Sequence, residues 1–113
     1  VLFTTKEENM YLINVYVPED AAEHVKMAMF AAGAGKLGNY DQVAWQTLGT
    51  GQFRPLAGSD PTVGKQGQLT HVQEYKVEML CEESALKDVI AALKKAHPYE
   101  EPAYHIITII LDT

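Results

Sequence analysis

The order of hydrophobic patterns along this chain predicts an α+β sandwich of ferredoxin-like topology, β-α-β-β-α-β. Two helices would cover one face of a four-stranded antiparallel sheet. Three observations carry this. Four β-rich stretches show residues of one kind recurring with a period of two. Two others place apolar residues at helical spacing, and each of these lies between a pair of the strands. The remaining sheet face would be bare, and a bare face is normally polar. Here the last strand is apolar on both sides and the first nearly so. The economical cover is another copy of the chain or the long loop, so a homo-oligomer is expected.

Each element has its own reasons. Tyr11–Val17 is the first strand, with Ile13, Val15 and Val17 on one face. Pro18, Glu19 and Asp20 suit a helix start, where negative charge is favoured. Ala22, Val25, Met29 and Ala32 form the helix stripe, His24 reads as solvent-facing, and Gly33 and Gly35 close the helix. A turn and second strand are expected over Gly38–Leu48, followed by a long aperiodic excursion, Gly49–Leu69. Thr70–Met79 alternates as a half-buried third strand. Ser84 is the cap candidate of the second helix, Leu86, Val89, Ile90 and Leu93 are its stripe, and Lys94 and Lys95 suit its C-terminal dipole. Ala103–Leu111 is the last strand.

The totals bound the function. A chain of 113 residues with 47% hydrophobic residues has room for one core. We expect a single domain over residues 10–113 behind a flexible N-terminal extension, residues 1–9. A net charge of −6 without charge blocks argues against nucleic acid or an anionic membrane as partner. The single cysteine, Cys81, reads as a structural thiol in a reducing compartment, and a cytoplasmic location is expected.

Chemistry is sparse. Gly49-Thr50-Gly51 lacks the third glycine of a dinucleotide loop, and Gly58 to Gly64-Lys65-Gln66 has the wrong spacing and no hydroxyl for a phosphate loop. Backbone N–H groups around Thr50 and Gly51, with Arg54 and Lys65, would still suit an anion. Trp45, Phe53 and Arg54 would form an aromatic floor with a cationic arm, unless they pack between subunits. The segment from Ala96 to Pro102 stops the last helix and starts the last strand between two prolines. His97 and Glu100 there are an imidazole–carboxylate pair suited to a divalent metal, with Glu74, His71 or His105 as further donors. The bland reading is a capping histidine and a carboxylate paired to a base or an N–H. Tyr99 would order a ligand or wedge between subunits. No Ser-His-Asp or Cys-His set is spaced for nucleophilic catalysis.

The glycine-proline stretch Gly49-Thr50-Gly51-Gln52-Phe53-Arg54-Pro55, Gly58, Pro61, Gly64 and Gly67, then Glu74 and Glu78, then His97-Pro98-Tyr99-Glu100, Pro102, Ala103 and Tyr104 resemble one family. It is the YqfO-type insert domain of the Nif-three-like family, which also occurs as a short stand-alone protein. The resemblance runs from about Met10 to Leu111. That family is grouped with the CutA and PII-like trimers, so the resemblance implies a ferredoxin-like subunit and a trimer. The resemblance further implies that the di-metal site of longer relatives lies in a separate domain, which a stretch of 113 residues is expected to be too short to include. The sequence has Thr70 and His71 where relatives often carry an acid. The expectation is a trimeric sensor or binding module for a metal ion or small anion at subunit clefts. The alternatives are a structural adaptor and, last, a metal-dependent enzyme.

Overall fold

The computed structural model describes residues 9–111. The expected extension lies outside these residues except for Asn9, whose carbonyl accepts the Glu83 N–H at 3.1 Å. Strand β1 is Met10–Pro18, α1 is Ala22–Ala31 after a 3-10 turn at Glu19–Ala21, β2 is Trp45–Phe53, and β3 is Thr70–Glu82. Helix α2 is Glu83–Ala96 and β4 is Tyr104–Ile109. The sheet order is β2-β3-β1-β4 with every neighbouring pair antiparallel. This is the expected ferredoxin-like arrangement.

The register places Ile13 opposite Met79 and Val15 opposite Val77, so these side chains share the helix-covered face. With Val25 and Met29 of α1 and Val89 and Leu93 of α2 they form the fully buried core. Cys81 is buried in that core, as its sequence context suggested. Gly33, at φ +119°, stops α1 where a side chain would be strained. Pro98 stops α2, leaving His97 extended at φ −70°, ψ 135°. Ser84 lies inside the first turn of α2 rather than at its cap, which is Glu82.

Strand β2 departs from the expected boundaries. It begins at Trp45 and continues through Gly49–Phe53, residues expected in the loop, so the loop is 54–69. The cause is β3, which is 13 residues long and supplies ladder partners for the glycine-rich stretch, from Gly49 opposite Glu74 to Phe53 opposite Thr70. Tertiary pairing outweighs the low strand preference of glycine. Gly51 also makes room for the Glu74 carboxylate, which a Cβ there would push aside.

The second sheet face is open. Along it run Leu12, Asn14 and Tyr16 of β1, Glu74, Lys76 and Glu78 of β3, and Ile107 of β4. Met10 pairs with Ile109, so β1 starts where β4 ends. The opposite end of the sheet carries the loop and the helix-to-strand junction.

Candidate functional site

The site forms where residues 97–102 meet loop 54–69. Burial of the His97 ring fixes the first half: Nε2–H donates to the Tyr16 carbonyl at 2.7 Å, and Nδ1 accepts the Tyr99 N–H at 3.1 Å. Those bonds define a neutral tautomer. Burial pushes the ring's pKa down, against weaker upward pulls from the Tyr16 carbonyl and the Glu74 carboxylate. Both nitrogens are engaged, so a metal ion at this imidazole would have to displace one of these bonds. Among the described residues, no three His, Cys, Asp or Glu side chains are grouped to hold a metal ion.

The loop supplies the second half. The Gly67 N–H donates to the Pro55 carbonyl at 2.7 Å and closes the loop's base, with Pro55 buried. The loop is then fastened across the chain. The Asp60 N–H donates to Glu100 Oε1 at 3.1 Å, and the Thr62 hydroxyl donates to the Pro98 carbonyl at 2.7 Å. Between the two segments lies a cleft of about 200 Å³, lined by Phe53, Pro61, Val63, Tyr99, Glu100 and Glu101 among others. The Phe53 and Tyr99 rings meet at 6.0 Å, and the Tyr99 and His97 rings at 5.0 Å.

Tyr99 is the unusual member. Its hydroxyl is buried without a hydrogen bond of good geometry, although Glu74 is near enough to act on it. Burial first, and then that carboxylate, push the phenol's pKa well above its ordinary value, with Asp20 adding to the effect. The phenol therefore stays protonated. The hydroxyls of Ser59 and Thr62 are committed to the carbonyls of Leu56 and Pro98. The lining thus offers mainly acceptors, the carboxylates of Glu100 and Glu101, beside an aromatic wall. Such a lining suits a cation better than an anion.

The structure sorts the residues singled out in the sequence. Phe53, Tyr99 and Glu100 come together in the cleft, with His97 and Glu74 behind them. Gly51 serves as the floor beneath Glu74. Trp45 does not join them: it is eight residues along β2 from Phe53, about 26 Å at an ordinary strand rise. Thr50 turns to the opposite sheet face, where its hydroxyl accepts from Gln73 Nε2 at 3.4 Å. His71 is three residues from Glu74 on β3 and faces the other way. His105 packs on the Tyr16 ring at 6.1 Å on the open face. Arg54 and Lys65 are exposed and do not line the cleft. Asp60 and Thr62, which fasten the loop, carried no signal in the sequence because their partners are 36 or more residues away.

No protein-family model matches the chain. It is similar to the GTP cyclohydrolase 1 type 2 homolog of Halalkalibacterium halodurans, 43% identical over 106 residues, covering 94% of this chain and 28% of that protein. The chain thus spans little more than a quarter of the length of such relatives. Among solved structures, it superposes on the Bacillus cereus protein related to NIF3 with a TM-score of 0.83 and 39% identity, over 96% of this chain and 28% of that one. It also superposes on CutA of Synechococcus elongatus with a TM-score of 0.66 and 19% identity, over 93% of this chain and 80% of that one.

Proposed function

We propose, taking as premise that this chain belongs with the NIF3-related proteins as a domain of CutA-like fold, that it is an oligomeric binding module for a small cation. Three copies assemble through the open sheet face, and each carries its site in the cleft between loop 54–69 and residues 97–102. The observation that carries this reading is the cleft itself: a loop fastened across the chain onto a junction bearing Tyr99, Glu100 and Glu101. The ligand is a divalent metal ion or an organic ammonium group, since carboxylates beside aromatic rings bind either. His97 positions Tyr99 rather than binding the ligand. The small anion expected from the glycine-rich stretch is disfavoured by the acidic lining.

A structural role is the second reading, and one observation favours it. The start of β1 and the end of β4 lie side by side at Met10 and Ile109, which suits insertion into longer proteins such as the relatives. The cyclohydrolase in those relatives' names belongs to chains of which this one spans 28%, and we assign none of that chemistry to residues here.

The test is thermal unfolding of chelator-treated protein against divalent metal ions in one arm and alkylammonium ions in the other. A ligand at one hundred times its dissociation constant stabilises by about 2.7 kcal/mol. The expected result is a melting shift in one arm that is lost in Glu101→Gln and weakened in Tyr99→Phe. No shift in either arm would leave the structural role as the better reading.

A further inference from the structure

The open face of β2 is unusual in having an anchor at one end and a bare floor in the middle. Its outward residues run Trp45, Thr47, Gly49, Gly51 and Phe53. Trp45 is 68% exposed. Gly49 leaves the backbone uncovered, Gly51 lies beneath the Glu74 carboxylate, and together with Tyr16, Glu74, Lys76 and Glu78 they bound a trough of about 370 Å³. Nothing lies within 4 Å of where a Cβ on Gly49 would sit, so the space above it is open.

We propose that this trough is a socket for Trp45 of a second copy of the chain. The inference rests on the oligomeric part of the reading above and says which residues join the copies. In the single chain Trp45 stands beside the trough rather than in it: it lies opposite Glu78, four residues or about 13 Å from Gly49, and borders the neighbouring hollow with Leu12, Val43 and Leu80. The charges of the socket match an indole. Glu74, Lys76 and Glu78 alternate along the wall as negative, positive, negative. The ammonium suits the face of the ring, and a carboxylate suits its N–H. In the single chain that N–H donates to Thr47 Oγ1 at 3.1 Å, an exposed bond that docking would replace. A large aromatic side chain entering a pocket lined by backbone is the usual form of an interface anchor. In the trimeric reading the contact runs head-to-tail, Trp45 of one copy into the trough of the next, and three copies close the ring.

The chain holds a single tryptophan, so its fluorescence reports this residue alone. The experiment combines light scattering with tryptophan emission and acrylamide quenching across a dilution series, for wild type and for Gly49→Val. The open space above Gly49 and its strand backbone let valine fold there while blocking the socket. Wild type should assemble with blue-shifted, protected emission that turns red and quenchable as it dissociates. Gly49→Val and Trp45→Ala should associate more weakly by a factor on the order of thirty or more. An assembled wild type whose Trp45 stays fully quenchable overturns the inference and leaves the oligomer standing. So does a Gly49→Val variant that assembles like wild type, or a copurifying small molecule or foreign protein found in the trough. A wild type that is monomeric at tens of micromolar overturns both this inference and the assembly it rests on, while cation binding is decided separately by the melting shifts.

Discussion

At the scale of single residues, the buried His97 and the half-buried Tyr99 and Glu74 make predictions of definite sign. The folded state lowers the His97 pKa below its ordinary 6.5, so the unfolded chain takes up the proton first. Its contribution is therefore fully present above that value and is lost as pH falls through it towards the lower folded pKa. Urea titrations should show stability declining just below pH 6.5, and His97→Gln should flatten that part of the profile. Tyr99→Phe removes a buried hydroxyl that has no well-formed bond, so it should leave ligand-free stability unchanged or raise it by up to about 1 kcal/mol. Gly51→Ala should make the flexible end of Glu74 turn aside and cost no more than about 1 kcal/mol. Most of that should return in the double variant Gly51→Ala with Glu74→Ala, measured by the same titrations. The sequence showed His97, Tyr99 and Glu100 as a cluster because they are neighbours along the chain. It could not show that both His97 nitrogens are engaged, since the Tyr16 carbonyl is 81 residues away.

At the scale of elements, the strand and helix patterns were legible because a period of two or 3.6 is imposed by one buried face. Ile13, Val15 and Val17 are each fully buried, and Val89 and Leu93 fill the expected stripe of α2. Leu93→Ala should accordingly cost about 2–5 kcal/mol. The run Gly49–Phe53 was not legible, since it is a strand by virtue of β3 alone. The order within loop 54–69 was equally hidden, for its fastening to the junction depends on Asp60 and Thr62. Those two bonds are exposed, each worth about 0.5–1.5 kcal/mol, so the loop should open more easily than the whole domain. Glu100→Ala should therefore speed tryptic cleavage after Lys65 several-fold while barely changing the melting temperature.

At the scale of the whole molecule, the two sheet faces have different tasks. The helix side holds the core, with Leu48 and Ile106 exposed at its margins. The open side carries the apolar residues Leu12 and Ile107, the exposed Trp45 and the glycine trough. The apolar character of β4 on both sides was readable in the sequence, and its consequence is visible in Ile106 and Ile107, which are 38% and 46% exposed. Met10 and Ile109 pair at one end of the sheet and the cleft lies at the other, so a longer protein carrying this domain would hold the cleft away from that pair. Cation binding in that cleft is the central expectation. Hydrogen exchange with and without the metal or ammonium ion that shifts the melting curve tests it most directly. Exchange should slow in residues 54–69 and 97–102 together, with little change in β1 or α1. Protection confined to other parts of the chain, with both of these segments unchanged, would contradict it.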